Sequence, residues 1–154
     1  MPEVTAFSLS KHFTNLINRP VTFNQATVSM ETKVKKVFGV YSIRATDIQL
    51  VVKTDLALLG SLAGALLGLP DDEVRQRLKS LPLDDLLRDP MQEVLNVAAP
   101  VLSVEGQAAF TTMVLDPLFM KAPAQKALKT PVHRNYFTVE IERYEGGFFS
   151  IFEG

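Results

Sequence analysis

The chain has 154 residues, 47% apolar and 21% charged, which suffices for one packed core and is too apolar for a disordered chain. A formal net charge of −1 excludes the broad basic excess of a nucleic-acid-binding domain, leaving only a local patch of Lys33, Lys35 and Lys36 to consider. With no cysteine there is no disulfide, thiolate metal site or cysteine nucleophile, and the two histidines, His12 and His133, are too far apart in sequence to form a ligand-spaced motif.

Met1-Pro2-Glu3 has neither a basic n-region nor an apolar h-region, so no signal peptide is expected and the chain reads as one cytoplasmic domain over residues 1–154. Phe13, Leu16 and Ile17 have helical spacing and predict an amphipathic helix within residues 4–18, closed by Arg19-Pro20. Val21 to Met30 alternates loosely. Val34 to Arg44 and Ile48 to Val52 are β-rich and joined at Ala45-Thr46-Asp47, a hairpin turn. Thr54 or Asp55 can cap the next helix, which carries Gly60, Gly64 and Gly68 at intervals of four. The apolar run Leu56 to Leu69 stops short of the about 20 residues a bilayer requires, so no membrane insertion is expected. The small residues instead predict a buried helix that another backbone approaches closely.

Pro70-Asp71-Asp72-Glu73 starts a polar helix through Lys79, acidic at its start and basic at its end as the helix dipole favours. Leu83 to Arg88 suggests another turn or two, and Asp89-Pro90 opens a further helix to about Ser103. Ala108 to Leu115 reads as a strand. Residues 116–132 hold three prolines and read as loop with a helical turn over 124–129. Tyr136 to Tyr144 alternates as a strand, Glu145-Gly146-Gly147 reads as a turn, and Phe148 to Phe152 closes a C-terminal hairpin. Strands, then helices, then strands argue an α+β fold on an antiparallel sheet.

No Gly-rich phosphate loop, G-x-S-x-G elbow or spaced hydrolytic triad occurs. What remains is Asp89-Pro90-Met91-Gln92-Glu93-Val94-Leu95-Asn96. Steps of four and three put Asp89, Glu93 and Asn96 on one helical face, opposite the apolar Met91, Val94, Leu95 and Ala98. Asp89 before Pro90, with Gln92 following, also fits a helix N-cap, so its role is open between cap and functional acid. Asn96 is a poor helix-interior residue, which points to a use for its amide.

This pattern resembles the CheC/CheX/FliY family of chemotaxis phosphatases, whose signature is Asp or Ser, three residues, Glu, two residues, Asn on one helix. The order of elements is similar as well: a hairpin leading to a helix that ends at Gly68, the motif helix, then C-terminal strands. With one motif only, the chain resembles the CheX-like type. The resemblance implies a two-layer architecture with helices on one side of the sheet, and a homodimer, for which Phe148 to Phe152 would supply an open sheet edge. It implies hydrolysis of the aspartyl phosphate of a CheY-like response regulator. The regulator supplies the phosphorylated Asp, a Lys and Mg²⁺, so the phosphatase has no cofactor of its own. Asn96 would orient the attacking water, Glu93 would pair with the regulator's Lys, and Asp89 would be a supporting acid. The chain departs from the family at Pro100, where a glycine is usual, so the helix should kink there, and Pro90 should shorten it ahead of the motif. A non-catalytic CheX-like module that binds a regulator or another signalling partner is the alternative, and an unrelated interaction domain with an accidental motif is a third reading.

Overall fold

In the computed structural model, which describes residues 4–27, 34–79, 85–103 and 107–154, the chain runs α1 (Ala6–Ile17), β1 (Val21–Ala26), β2 (Lys36–Ile43), β3 (Gln49–Asp55), α2 (Leu56–Leu67), α3 (Asp71–Leu78), α4 (Asp85–Val97), α5 (Ala99–Leu102), β4 (Ala108–Val114), α6 (Ala122–Lys129), β5 (His133–Ile141) and β6 (Tyr144–Glu153). Met1-Pro2-Glu3, Val28 and Met30 of the first expected strand, Lys33 of the basic patch and Leu83 lie outside the described residues. The six strands form one antiparallel sheet in the order β1-β5-β6-β3-β2-β4.

Alternation along the strands divides the core in two. Val37, Tyr41, Leu50, Val52, Phe137, Val139, Phe149 and Ile151 face the main helical layer. Phe38, Val40, Val51 and Phe152 face the opposite way, onto Ala124 and Ala127 of α6 and onto Met120. The expected α+β architecture with a helical layer on one side of an antiparallel sheet therefore forms, and α6 adds a small cover on the other face. Under α1, Phe13 and Phe23 stack at 5.3 Å, and Phe149 meets both rings edge-on at 6.1 and 5.3 Å. Thr5 caps α1 by accepting from the Ser8 N–H at 3.1 Å, and Asn18 ends it in the left-handed region at φ 57°.

The hairpin at Ala45-Thr46-Asp47 forms as expected, with Ala45 at φ 62°. The C-terminal hairpin turns elsewhere than expected. Glu142 and Arg143 make the turn, Arg143 at φ 67°, and Gly146 and Gly147 lie inside β6. The glycines serve two close approaches. A side chain on Gly146 would strike the Val139 carbonyl where the register shifts, and a Cβ on Gly147 would stand 2.5 Å from the Asp55 carboxylate. Asp55 precedes α2 but its side chain does not cap it. The buried carboxylate instead accepts from the Phe148 N–H at 2.9 Å and from Lys36 Nζ, so Lys36 turns inward to an ion pair and does not join a basic patch.

Strand β6 lies between β5 and β3, so Phe148 to Phe152 is not a sheet edge. The edges are β1 and β4, and the terminal strand therefore offers no open edge for a homodimer. No helix among the described residues is long and apolar enough to cross a membrane.

Helix α2 is buried from Leu56 to Ala65 except at Ala57. Its glycines admit side chains, where a backbone was expected. Leu78 of α3 sits over Gly60 and Val74 over Gly64, while Gly68 ends the helix at φ 77° with Leu69 N–H returning to the Gly64 carbonyl at 2.8 Å. Gly64→Ala would drive a methyl into β-branched Val74. It is expected to destabilise by about 1–3 kcal/mol, against a gain of about 1 kcal/mol in helix propensity. Gly60→Ala meets only the flexible end of Leu78 and should be near neutral. Urea denaturation compares the two, and equal effects would contradict this packing.

His12 on α1 has a buried Nε2 without a hydrogen-bond partner among the described residues, and burial lowers its pKa below the usual value. The fold therefore favours neutral imidazole. The associated stability is present above the unfolded pKa and is lost as pH falls through the lowered folded value. His12→Gln should flatten the fall in stability between about pH 7 and pH 5. An unchanged slope would contradict the assignment.

Candidate functional site

Helix α4 carries Leu87, Met91, Val94 and Leu95 on its buried side. Steps of four, three and one place these on a single stripe, which packs against α2 and β4. The opposite side is solvent-exposed at Asp85, Asp89, Glu93 and Asn96, again in steps of four, four and three. The structure thus brings the three residues selected from the sequence onto one exposed face, with about 4.5 Å of rise between Glu93 and Asn96. Asp85 extends that face by one turn, and the i,i+4 step to Asp89 was legible in the sequence.

Asp89 is not the helix cap. The described residues are already helical at Asp85, four residues ahead of Asp89, so Asp89 and Pro90 lie inside the helix. Leu87 explains the helical conformation ahead of Asp89: its side chain is fully buried, and helical geometry over 85–88 brings it to the core with Met91. Pro90 lies inside the helix, withdraws one N–H from it and does not shorten it ahead of the motif. Of the two roles for Asp89, only that of an exposed acid beside Glu93 remains.

The expected break at Pro100 occurs. Helix α4 ends at Val97, Ala98 forms a turn, and α5 begins at Ala99 with Pro100 in its first turn. The Ala98 N–H still reaches the Val94 carbonyl at 3.2 Å, while Val101 N–H bonds to Ala98 at 3.0 Å. Pro100 has no N–H to offer the Asn96 carbonyl, so the α-helical ladder stops there. The break falls one turn beyond Glu93 and leaves Asn96 in helical conformation.

Two residues of β2 anchor this end of α4, and neither was evident from spacing. Gly39 provides a seat for Leu95, since a Cβ there would lie 3.1 Å from each of its methyl groups. Tyr41, fully buried, donates its hydroxyl to the Leu95 carbonyl at 2.5 Å, and Phe110 packs edge-on against the ring at 5.5 Å. Burial pushes the Tyr41 phenol well above its ordinary pKa, so it remains a donor. An isolated glycine within a β-rich run was the available hint of a close approach. Nothing in the sequence paired Tyr41 with residue 95.

Among the described residues no three metal-donor side chains converge. The exposed face offers carboxylates and one amide. These can accept or donate hydrogen bonds to water and pair with a partner's cation.

The architecture is a CheC-like fold, shared with FliY and FliM middle domains. The chain is similar to Thermotoga maritima FliY (TM-score 0.59, 15% identity, covering 94% of this chain and 81% of that one). It is likewise similar to the FliM middle domains of Helicobacter pylori (TM-score 0.54, 19% identity, 96% and 83%) and Vibrio alginolyticus (TM-score 0.51, 14% identity, 96% and 86%). At these identities the likeness defines the fold. No family model matches the chain, and no curated protein matches it in sequence.

Asp89→Ala should leave stability within about 0.5 kcal/mol of wild type, as for an exposed helical residue. A cap would have cost about 1 kcal/mol. Thermal or urea melts separate the two, and a loss of cap size would restore Asp89 to a capping role.

Proposed function

We propose that this protein promotes hydrolysis of the aspartyl phosphate of a CheY-like receiver domain in the cytoplasm, through Glu93 and Asn96. The observation that carries the reading is the exposed Glu93–Asn96 pair on one face of a helix whose other face is locked in the core. A phosphorylated receiver brings its own Mg²⁺ and Lys, so what the partner must add is a water held in line with phosphorus. An amide is well suited to holding it, because its oxygen accepts a hydrogen bond, its nitrogen donates one, and it does not titrate. In this reading Asn96 orients the water, Glu93 pairs with the receiver's Lys, and Asp89 adds negative charge at the edge of the contact. The similarity of the fold to FliY and FliM supports a role in chemotaxis or flagellar-switch signalling.

A second reading, a binding module without catalysis, is favoured by the end of α4 at Val97 and by the FliM neighbours, two of which are structures of H. pylori FliM with FliG and with SpeE. Dephosphorylation time courses with a panel of phosphorylated receiver domains separate the readings. Asn96→Ala should abolish acceleration while binding to the beryllofluoride-activated receiver persists, because water is positioned only in the transition state. Glu93→Ala should weaken that binding, by about 1.5–3 kcal/mol for a charge-assisted contact. Pro100→Gly, which restores an N–H for the Asn96 carbonyl, should leave activity unchanged or raise it. If wild type accelerates no receiver domain yet binds one, the module reading replaces the enzyme. Full activity in Asn96→Ala would move the site elsewhere.

A further inference from the structure

We propose that Tyr41 is a positioning residue for Asn96, its hydroxyl on the Leu95 carbonyl fixing the direction in which the end of α4 presents the amide. This rests on the reading of Asn96 as the water-orienting group. Asn96 is the second-last residue of α4, in the turn where helical carbonyls run out of N–H partners. Pro100 makes that end weaker, since it removes the donor that would have bonded to Asn96 itself. A group that must hold water to within a fraction of an ångström therefore sits on the least supported turn of its helix.

Strand β2 supplies the missing support. Gly39 and Tyr41 are two residues apart, so both point to the helical layer. Gly39 lets the Leu95 side chain approach the sheet, and the Tyr41 hydroxyl takes the Leu95 carbonyl at 2.5 Å. Phe110 of the edge strand β4 holds the Tyr41 ring from the side. Leu95 is fixed at both its side chain and its carbonyl, and Asn96 is the next residue. The peptide between them is the link through which the clamp acts. The bond is fully buried, so no water substitutes for the hydroxyl when it is removed.

Tyr41→Phe keeps the ring and its volume and deletes only the hydroxyl. The control is Ser10→Ala in α1, which deletes a hydroxyl that accepts from the Phe23 N–H of β1 at 2.8 Å and bonds to no residue of α4. Two measurements are made on the full chain: backbone amide exchange over residues 93–99, and dephosphorylation kinetics with beryllofluoride-receiver binding. For Tyr41→Phe, exchange should rise about tenfold at residues 96–99 and not in α1. kcat should fall about tenfold, short of the roughly hundredfold that an ångström of misplacement costs, with KM and receiver binding unchanged. Ser10→Ala should keep wild-type kcat. If Tyr41→Phe does not fold, Phe110→Leu, which frees the ring and keeps the hydroxyl, should give the same kcat-only loss at smaller size. Wild-type exchange at 96–99 in Tyr41→Phe, or a loss in kcat matched by Ser10→Ala, overturns the role of Tyr41 alone. A wild type that accelerates no receiver domain overturns the reading of Asn96 and this role with it.

Discussion

Burial of α2 on nearly its whole circumference is the constraint on which the arrangement depends. A helix with apolar residues all round must be covered on every side. Here β2, β3 and β6 lie beneath it, α1 and α4 flank it, and α3 closes it through Val74 and Leu78. Each leucine buried in this way contributes about 1.5–3 kcal/mol. Leu58, Leu59 and Leu62 alone therefore outweigh the helix propensity lost at Gly60 and Gly64. The surface ion pairs of α3, Arg75 with Asp71 and Arg77 with Glu73, contribute little beside that.

The position of α4 follows from the same requirement. As one of the covers of α2 it must turn Met91, Val94 and Leu95 inward, and a straight helix then has only one outward stripe. Asp85, Asp89, Glu93 and Asn96 occupy that stripe. The exposed face of α4 is thus set by packing on its reverse side. The contacts that hold α4 come from residues distant in sequence: α2, Gly39 and Tyr41 of β2, and β4.

A second long-range tie joins the sheet to α2. Asp55 ends β3, and its carboxylate bonds to Lys36 of β2 and to the Phe148 N–H of β6. Breaking one partner of a buried charged pair leaves an uncompensated charge, which is costly. Gly147 is required here because any side chain would enter the space of this carboxylate. A local rule reads Gly-Gly as a turn, but tertiary contact gives these glycines their purpose and moves the turn to Glu142-Arg143.

The sequence by itself determined the class of fold, the helices and most strands, and the common face of Asp89, Glu93 and Asn96. These depend on period, and the periods of 3.6 and 2 are local properties of the backbone. It also determined the break at Pro100, because a missing N–H is covalent chemistry. The tertiary structure decided the rest. Strand order β1-β5-β6-β3-β2-β4 placed Phe148 to Phe152 in the middle of the sheet, since pairing choices are made between segments that sequence distance does not rank. Burial of Leu87 keeps the chain helical ahead of Asp89 and so removes the capping role of Asp89, because the gain from a core contact exceeds a local cap preference. The bond from Tyr41 to Leu95 joins residues 54 apart in the chain. No periodicity links such a pair, and only the packing of β2 under α4 brings the hydroxyl to that carbonyl.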